Sequence, residues 1–180
     1  MAAEFIHRFV PGTSRMTILP LHPADGDENE LIPVCRAVAP GAAVLSPRLA
    51  RDVNPAELAE WIAAAASLHG IDASAIYALG YSDGADLATT ILLHYAGIIA
   101  GGVLLRPRLV SRPDPLPQLK GSPILISAGA SDPAVPLAES EALGRLLSAA
   151  GAAVDFAVAE SDHELTPEDF SMAKRWFAQL

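Results

Sequence analysis

The chain has 180 residues, 51% of them hydrophobic and 18% charged, with 21 acidic against 12 basic side chains and a formal net charge of −9. That length suits one domain spanning residues 1–180, and the apolar content excludes a disordered chain. The negative charge would repel phosphate backbones and anionic lipid surfaces, which excludes nucleic acid as a partner.

Residues 1–11 include Glu4, His7 and Arg8 and no long apolar run, so no secretory signal is expected there. Strands are predicted over 5–9 and 16–21, the second ending beside His22. The acidic run of Asp25, Asp27, Glu28 and Glu30 does not fit a calcium loop, because the sixth position is Glu30 and not Gly, and the twelfth is Arg36 and not Glu. No metal site is expected. Asp27 with Glu30 reads instead as the cap of a helix over 28–38. That helix contains the only cysteine, Cys35, which can form neither an internal disulfide nor a thiolate metal cage and suits a reducing cytoplasm.

A strand over 43–46 leads to a helix over 55–68, announced by Asn54 as cap and Pro55 in the first turn and stopped by Gly70. A strand over 75–79 is followed by a helix over 82–95, in which His94 is expected to pack into the core. The uncharged stretch 87–105 is interrupted by His94, Gly97, Gly101 and Gly102, so it reads as this helix followed by a strand over 102–105. No membrane insertion is expected. Pro107, Pro113, Pro115 and Pro117 mark 106–121 as an extended surface connection. Then come a strand over 124–127, a helix over 137–150 ended by Gly151, a strand over 154–158, and a helix over 167–178 entered through Thr166 and Pro167. Short aliphatic runs alternating with longer helical patterns predict an α/β fold, with a mostly parallel central sheet of about seven strands covered by helices on both faces.

Chemistry concentrates at Gly80, Tyr81, Ser82, Asp83 and Gly84, a G-x-S-x-G set between a predicted strand and a predicted helix. That context defines the nucleophile elbow of α/β-hydrolases: the serine sits on a strained turn, and the glycines let strand and helix approach closely. A serine hydroxyl needs a base, and the base an orienting acid. In this fold they follow in the order Ser, Asp, His on loops after later strands. Asp132, just past the strand over 124–127, and His163, between the last strand and last helix, fill that order. His7, His69 and His94 lie away from the site. His22 precedes the serine and is expected to order a loop, and Asp162, adjacent to His163, is badly placed to orient its ring. An oxyanion requires two backbone donors, one from the residue after the nucleophile and one from a loop after an early strand. Those are Asp83 and, since Pro23 has no N–H, Ala24.

The stretches LHPADGDENEL from Leu21, AVLSPR from Ala43, GYSDGA from Gly80, SAGASDPAVP from Ser127 and DHELTPEDF from Asp162 resemble the phospholipase/carboxylesterase family of α/β-hydrolases. The family includes acyl-protein thioesterases and small bacterial carboxylesterases. The resemblance implies Ser82 as nucleophile, Asp132 as acid and His163 as base. It further implies a small-molecule ester or thioester as substrate, with no cofactor. A homodimer is compatible with it. Three features depart from the family pattern. His22, Pro23, Ala24, Asp25 and Gly26 stand where H-G-x-G-G is usual, Asp83 stands where Gln or Asn is common, and 47–54 is shorter than the family's segment, which implies an open acyl site. A fold kept for binding without turnover is the rival reading.

Overall fold

In the computed structural model, which describes residues 4–180, the first three residues of the segment read as lacking a signal fall outside the described part. Seven strands pair into one sheet: β1 (His7–Val10), β2 (Thr17–Leu21), β3 (Ala43–Pro47), β4 (Ile76–Tyr81), β5 (Gly101–Leu105), β6 (Pro123–Gly129) and β7 (Ala153–Ala159). Their spatial order is β1-β3-β2-β4-β5-β6-β7. Only β1 runs antiparallel, against β3. Five helices connect them: α1 (Ile32–Val38), α2 (Pro55–His69), α3 (Asp83–His94), α4 (Leu137–Ala149) and α5 (Pro167–Phe177).

The central strands β2, β3 and β5 are buried along their whole length, as a parallel sheet covered on both faces requires. One core packs α2, α3 and α4 on the sheet through Leu58, Ile62, Ile91, Leu92, Leu143 and Leu147. The opposite face carries α1 and α5 through Cys35, Val38, Ala173, Trp176 and Phe177. From β2 the chain steps outward to β3 and then returns to β4, from which it proceeds the other way to β7. The order therefore reverses between β2 and β4, and the crevice at the carboxyl ends of those strands is where open α/β sheets place their ligands. No helix among the described residues is long and apolar enough to cross a membrane. The uncharged stretch resolves into the end of α3 and β5.

Three expectations need correction. The first helix starts at Ile32, four residues late, and has no acidic first turn and no side-chain cap. Glu28 is drawn sideways to Arg48, whose Nε and Nη2 donate to its carboxylate at 2.5 and 2.8 Å, while Asp27 accepts from the Asn29 N–H at 2.7 Å and stabilises a turn. His94 is exposed in the last turn of α3 and bonded to Ser111 Oγ at 2.8 Å, because the buried stripe of that helix runs through Ile91 and Leu92. The connection after β5 is not wholly a surface segment, since Arg106 at its start is completely buried.

Candidate active site

The turn between β4 and α3 has little steric freedom. A Cβ on Gly80 would lie 2.6 Å from the Gly84 carbonyl oxygen, and one on Gly84 would lie 1.8 Å from that of Leu21. Both glycines are therefore steric requirements of the close strand–helix approach. Ser82 itself adopts φ 53°, ψ −121°, outside the helix it precedes. A positive φ is uncommon for a residue with a side chain and persists only where its surroundings over-determine it. Here the Ser82 N–H donates to Leu105 O on β5 at 3.0 Å, and its carbonyl accepts from the Asp86 N–H at 3.0 Å to begin α3. The hydroxyl is thereby held at the carboxyl edge of the sheet.

Asp132 and His163 reach the same edge from the loops after β6 and β7. His163 Nε2 lies 2.9 Å from Ser82 Oγ, and its Nδ1 lies 2.7 Å from Asp132 Oδ2. The other oxygen, Asp132 Oδ1, accepts from the N–H groups of Ala134 and Val135 at 2.8 and 2.9 Å. The two carboxylate oxygens thus have separate tasks, one fixing the carboxylate to its loop and one facing the imidazole. Burial pushes the Asp132 carboxyl up, but the bonds from Val135, His163 and Ala134 outweigh it and hold the group below the usual carboxylate range. An ionised Asp132 demands a proton on Nδ1, which leaves Nε2 to accept from the serine hydroxyl. His163 remains 28% exposed while the Asp132 side chain is fully buried, so the ring sits at the boundary between protein and solvent.

His22 lies buried under the loop after β2. It is bonded through Nδ1 to Pro23 O at 2.6 Å and accepts at Nε2 from the Leu49 N–H at 2.9 Å. It therefore ties this loop to the one after β3. The Ala24 N–H points toward the elbow and meets the Asp83 carboxylate at 3.4 Å. Asp83 also receives Arg108 Nη2 at 3.2 Å. Asp25 turns outward and pairs with Arg51. A cavity of about 350 Å³ opens beside Ala24 and Asp83, between Leu49, Val53 and Pro55 on one side and Leu87, Thr90 and Val110 on the other. The short segment after β3 does wall this cavity, through Leu49, Ala50, Arg51 and Val53, and the Leu49 N–H bonded to His22 joins it to the loop after β2.

Residues that no sequence motif marks also border the site. Asp86, buried in the first turn of α3, binds the N–H and Nε of Arg108 at 2.6 and 2.9 Å. Burial raises its carboxyl pKa even so. Tyr81 OH donates to His163 O at 3.2 Å, with its ring tilted against the imidazole at 5.7 Å. Arg106 binds the segment around His163. Thr166-Pro167-Glu168-Asp169 is an [ST]-x-x-[DE] capping pattern, which marks Asp169 in the sequence as a helix cap but not as the buried partner of Arg106 that it also is.

A model described as phospholipase/carboxylesterase matches residues 54–180, which include the elbow and the Asp132 and His163 loops. The chain is 30% identical over 195 residues to MhqD of Bacillus subtilis strain 168, covering 96% of this chain and 98% of that protein. Its structure is similar to that of a Bacillus cereus carboxylesterase, with TM-score 0.89 and 32% identity over 96% of this chain and 92% of that one. A carboxylesterase from Mesorhizobium loti superposes with TM-score 0.83 and 30% identity, covering 94% and 91% of the two chains. With its parallel sheet, helices on both faces and elbow turn, the chain belongs to the phospholipase/carboxylesterase family of α/β-hydrolases.

Proposed function

We propose that this protein is a serine hydrolase that cleaves carboxylic esters or thioesters of small molecules through an acyl-enzyme on Ser82. The observation that carries the reading is the unbroken chain from Ser82 Oγ through both nitrogens of His163 to Asp132, at 2.9 and 2.7 Å. His163 Nε2 takes the serine proton as Oγ attacks the acyl carbon, and the imidazolium that forms is stabilised by Asp132. The carbonyl oxygen becomes an oxyanion, for which the N–H groups of Asp83 and Ala24 are the donors. His163 then protonates the departing alkoxide or thiolate, and water repeats the sequence to release the acid. The buried thiol Cys35 suits a reducing compartment such as the cytoplasm.

One observation favours the rival reading of a binding protein without turnover: the Asp83 carboxylate stands against the Ala24 N–H that would serve the oxyanion. Kinetics on nitrophenyl esters and acyl thioesters decide between the two. The hydrolase reading expects a burst of nitrophenol equal to the enzyme concentration, followed by slower turnover. Binding of these compounds with neither burst nor turnover would establish the rival.

A further inference from the structure

The segment that carries His163 lies between β7 and α5 and belongs to neither, and among the described residues no backbone N–H bonds the carbonyls of residues 162–164. Side chains satisfy three successive ones. Arg106 Nε donates to Asp162 O at 3.2 Å, Tyr81 OH to His163 O at 3.2 Å, and Arg106 Nη2 to Glu164 O at 3.0 Å. Nη2 also reaches Ser161 Oγ at 2.9 Å. The far edge of the same guanidinium is fixed to the sheet: Nη1 binds Ser127 O on β6 at 3.2 Å, and Asp169 of α5 receives Nη1 and Nη2 at 2.9 Å each. Asp169 in turn accepts from Ser127 Oγ at 2.6 Å and from the Thr166 N–H at 2.8 Å. Arg106 and Asp169 are both completely inaccessible, and Arg106 enters this position through a backbone φ of 56°.

We infer that Arg106, aided by Tyr81, is the positioning residue for His163, clamping the residues on either side of it so that the imidazole meets Ser82 and Asp132 together. The inference rests on the reading of His163 as the base. A buried ion pair adds little to stability over apolar side chains of similar volume, so fastening α5 to the sheet does not by itself call for an arginine. Only a planar fork of five donors can grip a carboxylate along one edge and two carbonyls that flank a residue along another. Asp169 neutralises the charge, so Arg106 acts on the base through geometry.

Arg106→Lys tests this, since it keeps a cation opposite Asp169 and loses the fork. The expected result is a folded protein in which kcat and the rate of fluorophosphonate labelling fall by about ten- to a hundredfold, with KM within about twofold. The far-downfield proton resonance of His163 Nδ1–H should broaden or disappear. In a His163→Ala background the same substitution should cost nothing further, because its effect runs through the imidazole. Equal losses in both backgrounds, or an unchanged rate in folded Arg106→Lys, would overturn the inference. If Arg106→Lys does not fold, Tyr81→Phe decides through the same readouts, with an expected loss of about three- to tenfold and none in the His163→Ala background. His163→Ala at the wild-type rate would instead remove the reading of His163 as the base.

Discussion

Asp132→Asn isolates the tautomer of His163 from the rest of the site. In the structure Asp132 Oδ1 accepts from two backbone N–H groups, at 2.8 and 2.9 Å, while Oδ2 faces His163 Nδ1 at 2.7 Å. An asparagine must keep its oxygen toward Ala134 and Val135, since an amide nitrogen there would set donor against donor. Its NH2 group then points at Nδ1, which must accept, and the imidazole proton moves to Nε2, facing Ser82. The serine loses its base although no atom has moved far. Where such an exchange preserves geometry, the cost is on the order of 10³- to 10⁴-fold in kcat, or about 4 to 5.5 kcal/mol at 1.36 kcal/mol per factor of ten. Both backbone bonds survive, so stability should change by only about 1 kcal/mol. Nitrophenyl ester hydrolysis measures the first quantity and urea unfolding the second. An Asn variant within tenfold of the wild-type kcat would refute the tautomer argument. A variant destabilised by several kcal/mol would show that the two-oxygen division of labour is wrong.

Asp83→Asn should raise kcat several-fold, because it removes a negative charge beside the Ala24 N–H; an unchanged or lower value would mean that the carboxylate swings away when substrate binds. Gly84→Ala should destabilise the fold by about 3 kcal/mol or more, since the new methyl meets the Leu21 backbone and not a movable side chain; chemical denaturation at wild-type stability would contradict the steric account of the elbow. Asp169 is pushed up by burial but held below the usual carboxylate range by Arg106, Ser127 and Thr166. A depressed folded pKa supplies stability that is present above the unfolded value near pH 4 and lost as pH falls through the folded one, so acid unfolding followed by circular dichroism should be less steep in Asp169→Asn. Burial raises the Cys35 thiol to about 12, so it should resist disulfide reagents until the protein unfolds, and reaction of the native protein at the unfolded rate would contradict its burial.

The strands were legible because a parallel sheet buried on both faces leaves short aliphatic runs that turns and helices interrupt. Gly80, Ser82 and Gly84 were legible because the elbow imposes steric demands at fixed spacing, and Asp132 and His163 because the strand order brings their loops to one edge. What escaped depends on partners distant in sequence. Glu28 reads as part of a helix start until Arg48, twenty residues on, takes its carboxylate. Arg106, followed by Pro107 and a proline-rich stretch, looks like the opening of a solvated loop. Its burial is explained by Asp169 and the carbonyls around His163, more than fifty residues later. No local pattern at Arg106 encodes that contact.

On the proposed mechanism Ser82 forms the acyl-enzyme with His163 as its base. The most direct measurement is intact-mass and peptide mapping of the protein after exposure to a fluorophosphonate, for wild type and for Ser82→Ala and His163→Ala. The proposed mechanism gives one adduct per chain on the peptide that carries Ser82, none in Ser82→Ala, and labelling slowed by on the order of a thousandfold or more in His163→Ala. An adduct on another residue, or no adduct on the folded wild-type protein, would contradict it.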